Sequence, residues 1–265
     1  MIAGENFYDI ADFVFSIEGC EDFNRLNNTF DVNKLKDINI VYLHTMYKDV
    51  FFELIKNLEN KFIIITHNCD VNINNVDNLP KNVIKWYAQN VNVKNDRLES
   101  IPIGLENSKW FGHINKKQQI LNKLKESKKN YNLVYMNYNI NTNIKERKYL
   151  FDLLKNEKFV TVQMGHNGQN YDNYIDNIYN HKFVLCPEGN GIDTHRTWET
   201  LYLNSIPIEK RNINNSFYTD LPICFVDNWE EVTEDFLYKE YDRIINTKWN
   251  LDKLTMQYWL KKIKI

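Results

Sequence analysis

The order of short apolar runs and longer amphipathic stretches is the feature that most constrains how this chain can fold. The short runs are rich in β-branched and aromatic side chains, which is typical of strands buried on both faces. Because parallel strands need a crossover between them, usually a helix, this alternation predicts an α/β protein with parallel sheets flanked by helices. The predicted strands are 13–16, 38–43, 62–66, 83–87, 133–137, 159–163, 183–186, 206–209 and 223–226.

A polar segment, 115–130, separates the first four predicted strands from the other five. We interpret it as a helix with a linker, and its basic residues as a solvated helix face. Further helices are predicted at 46–59, 145–156 and 229–237. The chain should therefore form two Rossmann-like lobes, 1–127 and 128–247, followed by a terminal helix, 248–265, that crosses back to the first lobe.

Composition supports a folded core and excludes one class of partner. Hydrophobic residues make up 43% of the chain and aromatic residues 14%, which is enough apolar surface to offset the entropy of ordering. The formal net charge of −2 provides no broad positive field for a nucleic-acid backbone, so we expect no nucleic-acid partner. Heavy use of Asn, Ile and Lys is typical of an AT-rich bacterial or large DNA virus genome. Oligomeric state has no signature here.

The four cysteines form no CxxC pair, which argues against a zinc ribbon or a redox motif. The start of the sequence has no basic n-region, and no apolar run reaches the roughly 18 residues of a membrane span. We therefore expect a soluble cytoplasmic protein with reduced thiols and no signal peptide or transmembrane segment.

The segment 181–208 carries the clearest chemical signal. A buried strand ends at Pro187, a loop with Gly189, Asn190 and Gly191 follows, and a helix begins after a cap at Asp193 or Thr194. Such a glycine-rich loop allows a ligand to approach the backbone. In open α/β sheets, ligands bind beyond the carboxyl ends of strands, where this loop lies.

Two cationic side chains, His195 and Arg196, fall in the first turn of that helix. The helix dipole and its unpaired N–H groups favour anions there, so a phosphate is expected, with Arg196 as a bidentate clamp. One turn later, Glu199 suits a ribose diol. The alternative is that Arg196 pairs with Glu199 or Glu188 and that the glycines simply form a turn.

The block FVLCPEGNGIDTHRTWETLYLNSIPI, 183–208, resembles the donor-binding signature of GT-B glycosyltransferases, closest to exostosin-like enzymes, and is similar to that of α1,3-fucosyltransferases. The resemblance implies that Arg196 holds a donor diphosphate and that Glu199 meets the ribose. Segments 87–90 and 101–104 resemble acceptor-lobe loops of exostosin-like relatives. The chain departs from the pattern at Asn204, where Gly is expected. Asn tolerates the left-handed conformation of a helix C-terminus, so we expect the turn to survive.

Together these features predict a transferase that moves a sugar from a nucleotide-diphosphate donor, UDP favoured over GDP, to a glycan or other hydroxyl acceptor. No Asp-x-Asp motif and no HxxxH pair is present, so we expect no metal and no cofactor. An inverting reaction requires a base from the first lobe. Asp70 is the first choice, His67 the second and Glu106 the third, each against the alternative of a structural role in a turn.

Several assignments stay open at this point. Aromatic residues Trp86, Tyr87, Trp110 and Phe111 could stack on sugar rings or pack in the core. The polar segment 166–170 could line the donor cleft or form a plain loop. The rival functions are a non-catalytic nucleotide-sugar or glycan-binding protein and a nucleotide hydrolase.

Overall fold

The computed structural model describes residues 1–15, 31–108, 115–127, 132–164 and 171–264. Its strands form two separate five-stranded parallel sheets, as the alternating pattern predicts. The strands are β1 (Phe13–Phe15), β2 (Ile40–His44), β3 (Phe62–His67), β4 (Val83–Ala88), β5 (Leu98–Ser100), β6 (Asn132–Met136), β7 (Val160–Val162), β8 (His181–Leu185), β9 (Ile206–Lys210) and β10 (Cys224–Val226).

The first sheet has the order β1-β2-β3-β4-β5. Its central strands are almost wholly buried because helices and loops cover both faces, as the near-continuous apolar runs require. His44 of β2 pairs with His67 of β3, so these two strands end at the same level. Polar residues that follow them therefore meet at one edge.

The second sheet has the order β10-β9-β8-β6-β7, with β8 at its centre. Every predicted strand is present, with ends shifted by up to two residues. The sequence prediction omitted β5, which has three residues and pairs only with β4 among the described strands. So short a strand leaves no periodicity to detect.

The helices connect the strands on both faces. The predicted helix 229–237 is instead a 3₁₀ turn, Trp229–Glu231, followed by a helix capped by Thr233. The helix Tyr171–Asn180 was missed. The described α-helices are α1 (Gly4–Tyr8), α2 (Lys48–Ile55), α3 (Lys116–Lys123), α4 (Ile144–Leu154), α5 (Tyr171–Asn180), α6 (His195–Tyr202), α7 (Glu234–Ile245) and α8 (Met256–Ile263).

The terminal helix α8 returns to the first lobe, as predicted. The Trp259 ring lies edge-on to Phe7, with ring centroids 6.2 Å apart, and Lys262 forms an ion pair with Glu99. One hydrophobic cluster contains side chains of both lobes and of α8, so the lobes share part of their core. The proposed boundary at residue 127 lies between the last strand of the first sheet and the first strand of the second.

Candidate functional site

A cleft of about 620 Å³ opens where the carboxyl ends of the second sheet face the first lobe. The loop 189–191, the first turn of α6, and side chains from α3, α4 and α5 line it. The lining residues predicted from the sequence are Asp70, Glu106, Gly189, Asn190, Gly191, Asp193, Thr194, His195, Arg196 and Glu199. The structure therefore brings most of the predicted donor residues to one surface.

Helix α6 begins with an open N-terminus. Thr194 is the N-cap residue, but its side chain makes no capping hydrogen bond. Asp193 does not cap the helix through its side chain either, because its two carboxyl oxygens accept hydrogen bonds from Ile103 N–H at 2.7 Å and from Trp198 Nε1–H at 2.8 Å. Thr197 N–H donates to Thr194 O, whereas the N–H groups of His195 and Arg196 have no acceptor among the described residues and can bind an anion.

Arg196 lies in that first turn and is 7% exposed. Its guanidinium makes no salt bridge or hydrogen bond with any part of the chain that the structure describes, and Nε is buried without a partner. A guanidinium is always charged and carries five N–H donors. Because a buried unpaired charge is costly, this side chain is suited to an anion that the cleft binds.

A second arginine, Arg147 of α4, reaches the same cleft and was missed in the sequence prediction. It is buried and donates hydrogen bonds to the carbonyl oxygens of Pro187 and Glu188 at 3.1 and 2.8 Å. Burial and the nearby charge of Arg196 lower its pKa to about 10. Two buried cations at one cleft make a negatively charged ligand strongly favourable.

The loop glycines allow two side chains to pack closely against the loop. A Cβ on Gly189 would lie 2.8 Å from Arg147 Nη2, and a Cβ on Gly191 would lie 2.6 Å from Asn90 Nδ2. Neither glycine has a positive φ, so freedom of the backbone is not the reason for them. Asn90 also accepts a hydrogen bond from Asp193 N–H, which ties this loop to the first lobe.

Glu199 lies one turn after Arg196 and is 4% exposed. The hydroxyls of Tyr171 and Tyr174 donate to its two carboxylate oxygens at 3.0 and 2.8 Å. Lys116 Nζ is 3.8 Å from the same carboxylate. These contacts hold Glu199 at the cleft wall as an acceptor, which is the property a ribose diol requires.

Glu188 lies outside the lining of the cleft. It accepts a hydrogen bond from Asn212 Nδ2 at 3.0 Å, and burial raises its pKa. A second acid, Glu209, accepts hydrogen bonds from Thr197 of α6 and from Asn215, and burial raises its pKa to about 7. Both acids are therefore engaged by protein partners, and Glu209 contacts α6 directly.

A cavity of about 440 Å³ continues the cleft into the first lobe. It lies beyond the carboxyl ends of β2, β3 and β4, and Asp70, Ile103, Glu106 and His195 line both spaces. Asp70 accepts a hydrogen bond from Asn190 of the donor loop at 3.2 Å. Its carboxylate therefore stands where the two spaces meet.

The other two predicted bases have protein partners. His67 is 1% exposed, its Nε2–H donates to the Pro102 carbonyl at 3.1 Å, and burial lowers its pKa to about 4. Glu106 forms a salt bridge with Lys116 at 3.2 Å. Asp70 is the candidate base whose position and partners fit the role best.

His195 was predicted only as a donor-binding residue, but the position of its ring also suits proton transfer. Nδ1 lies 2.7 Å from the carbonyl oxygen of Gly104. A carbonyl can only accept, so Nδ1–H donates to it, and Nε2 is the ring nitrogen left to exchange a proton. The side chain lines both spaces and is a further candidate for proton transfer.

Two of the four aromatic residues predicted to stack on sugar rings or pack in the core lie among the described residues. Trp86 is buried in the first lobe, where its Nε1–H donates to Thr66, and Tyr87 is buried under α8. Both are core residues, as the alternative interpretation held. Trp110, Phe111 and the segment 166–170 lie outside the described residues.

Asn204 adopts the predicted left-handed conformation, with φ of 56°. Ser205 N–H donates to Thr200 O and Asn204 N–H to Leu201 O, which closes α6 at its C-terminus. In the described parts of the chain, no three His, Cys, Asp or Glu residues are placed to hold a metal ion together. No described helix is long and apolar enough to cross a membrane.

No protein-family model matches the sequence, and neither does any curated protein. Among solved structures, the chain is similar to an α1,3-fucosyltransferase with GDP-fucose, at 15% identity and a TM-score of 0.40, covering 90% of this chain and 70% of that one. It is also similar to a UDP-forming α,α-trehalose-phosphate synthase from Burkholderia vietnamiensis, at 8% identity and a TM-score of 0.41, covering 84% of this chain and 70% of that one. A third similar structure is an α,α-trehalose 6-phosphate synthase from Burkholderia multivorans, at 8% identity and a TM-score of 0.42, covering 91% of this chain and 70% of that one. At these TM-scores the function must be inferred from the side chains of the cleft.

Proposed function

We propose that this protein is a glycosyltransferase that uses a nucleotide-diphosphate sugar. The observation that supports this most is the buried guanidinium of Arg196, which has no hydrogen-bond partner among the described residues, beside the open N-terminus of α6. Diphosphate oxygens would accept from Arg196, from the helix N–H groups and from the second N–H of Arg147 Nη2, which has no acceptor among the described residues. The Glu199 carboxylate would accept from the ribose hydroxyls.

The proposed reaction needs no metal. In the departing nucleoside diphosphate, charge develops on the oxygen released from the sugar, and Arg196 with the helix N-terminus would stabilise it. Asp70 would take the proton of the acceptor hydroxyl as that oxygen attacks the anomeric carbon from the opposite face, which gives inversion. We propose UDP-sugars as the preferred donors over GDP-sugars, and a glycan or another hydroxyl compound as the acceptor. The resemblance of 183–208 to exostosin-like enzymes is part of this proposal.

Titration calorimetry with UDP and GDP tests the donor site. Replacing Arg196 by Ala should weaken binding by about 2 to 4 kcal/mol, the usual cost of removing one partner of a buried charge pair. Arg243→Ala is the matched control, because this arginine lies half exposed on α7 and pairs with Glu240. Unchanged affinity in a folded Arg196→Ala protein would refute the donor site.

The rival is a non-catalytic protein that binds the same donor. One measurement distinguishes this binding protein from a transferase. If the rival is correct, the wild-type protein would bind a nucleotide sugar but form no glycoside with any member of a broad acceptor panel. A nucleotide hydrolase would instead release free sugar when no acceptor is present. Mass spectrometry of the products separates these three outcomes.

A further inference from the structure

The first-lobe cavity has a composition that the proposed transfer does not by itself explain. Its described lining consists of amides, histidines, two carboxylates and a few apolar groups, without a lysine or arginine. The lining residues are Gly4, His44, Met46, His67, Asn68, Cys69, Asp70, Gln89, Ile103, Leu105, Glu106, Asn107 and His195. Lys116 lines the neighbouring cleft, where it pairs with Glu106.

The two histidines at the ends of β2 and β3, His44 and His67, do not provide the positive charge that an anion would need. Burial lowers the pKa of both His44 and His67, the latter to about 4, which disfavours a positive charge on either ring. Asp70 has only the neutral amide of Asn190 as a side-chain hydrogen-bond partner among the described residues. An anion bound beside Asp70 would therefore face a carboxylate, with no lysine or arginine among the described lining residues to compensate it.

The amides show what the cavity can bind instead. Gln89 is 1% exposed, and its Oε1 accepts from Asn68 N–H at 3.1 Å. No described residue accepts from its amide nitrogen, so that donor is available to a ligand in the cavity. Asn68 and Asn107 form the neighbouring wall through hydrogen bonds to the protein: Asn107 Nδ2 donates to Asn68 Oδ1 at 2.9 Å, Asn68 Nδ2 donates to the Tyr42 hydroxyl at 2.8 Å, and Asn107 Oδ1 accepts from Glu5 N–H at 2.9 Å. Amides that both donate and accept suit hydroxyl groups, which do the same.

We infer that this cavity binds an uncharged sugar as the acceptor and rejects carboxylated or phosphorylated sugars. The inference rests on the proposed function, because it assigns the cavity to the acceptor of that transfer. Met46, 58% exposed at the cavity, adds an apolar surface for the C–H face of a sugar ring. Specificity would come from repulsion at Asp70 as much as from the hydrogen bonds.

Saturation-transfer NMR with methyl glycosides tests this without donor or turnover. Methyl hexosides and methyl N-acetylhexosaminides should give signals, and the matched methyl uronides and hexose phosphates should bind on the order of ten- to a hundredfold more weakly. Met46→Arg should narrow or reverse the difference by placing a cation in the cavity. Ile84→Arg, an exposed position at the start of β4, is the control and should leave the preference unchanged.

Equal or stronger binding of the uronides to wild-type protein would overturn the inference, and so would a lack of signal from every neutral glycoside. An unaltered preference in Met46→Arg would show that charge at this cavity does not set it, which also overturns it. Calorimetry with UDP and GDP on the same preparations reports the donor site separately. A failure of the acceptor inference is thereby distinguished from a failure of the proposed transferase.

Discussion

Asn90 of the first lobe accepts a hydrogen bond at its side-chain oxygen from the backbone N–H of Asp193 in the second lobe, at 2.9 Å. The same amide donates to the carbonyl oxygen of Cys69 at 3.0 Å. Asn90 has a φ of 59° and is fully buried. One side chain thus links a strand end of the first sheet to the residue that precedes the N-cap of α6.

We predict that Asn90→Ala lowers the free energy of unfolding by about 2 to 4 kcal/mol. One buried and one partly buried hydrogen bond are lost, and alanine is strained in the left-handed conformation. Urea unfolding followed by circular dichroism measures the change. Asn204→Ala is the matched control, since it has the same conformation but an exposed side chain, and it should cost about 1 kcal/mol. Equal costs at the two positions would contradict the role of Asn90 as a link.

The contact between Gly191 and Asn90 predicts a coupling. Gly191→Ala places a methyl group against the Asn90 amide, so it should destabilise the protein and weaken UDP binding. In the Asn90→Ala background the same substitution should cost less, because the atoms it meets are gone. A double-mutant cycle measures this, and strict additivity would show that the two residues do not contact one another.

Arg196 predicts opposite effects on stability and on binding. Its guanidinium is buried without a hydrogen bond or salt bridge to any described residue, so Arg196→Met should leave the ligand-free protein as stable as the wild type or more so. Binding of UDP should nevertheless fall sharply. Thermal unfolding with and without UDP measures both quantities. A large loss of stability without ligand would indicate that Arg196 holds the fold together instead of an anion.

Glu199 and Arg196 should separate two parts of the donor. Arg196→Ala should weaken the binding of both UDP and inorganic pyrophosphate, since both present diphosphate oxygens. Glu199→Gln should weaken the binding of UDP alone, because only UDP carries the ribose diol. Competition calorimetry decides the matter. If Glu199→Gln weakened pyrophosphate equally, the carboxylate would be acting through Arg196, not on the ribose.

Burial of Asp193 predicts a pH dependence. Its pKa is raised from 3.8 to about 7 by burial, so the folded state keeps its proton to higher pH than the unfolded state does. This contribution to stability is greatest at low pH and is lost as pH rises towards about 7. Relative to Asp193→Asn, the wild type should lose on the order of 1 to 2 kcal/mol between about pH 5 and pH 7. Asp77→Asn, at an exposed position, is the control substitution for the same pH series.

The base is tested by kcat at saturating donor. Asp70→Asn should lower kcat by roughly 10² to 10⁴ while UDP affinity changes little, since general-base catalysis contributes that much. His195→Asn, which keeps a donor near Gly104 O, addresses the other candidate at the junction. If His195→Asn gave the large loss and Asp70→Asn did not, the proton would pass to the imidazole.

Local sequence determined the α/β class, nine of the ten described strands, and the strand, loop and helix of 181–208. The conformation of Asn204 was also predictable. These features depend on periodicity, turn chemistry and capping, which act between residues close in the chain. The inward placement of Arg147 had a signal too, because Arg147 shares a helical face with the buried Leu150 and Leu154.

Tertiary structure alone decided which distant residues share the cleft. Tyr171 and Tyr174 meet Glu199, Asn90 meets Asp193, and Asp70 meets Asn190, all between elements separated in the sequence. These meetings follow from the order of strands in each sheet and from the packing of one lobe on the other, which no local pattern contains. For the same reason the glycines of the donor loop could be read as making room for a ligand, whereas folding places Arg147 and Asn90 against them.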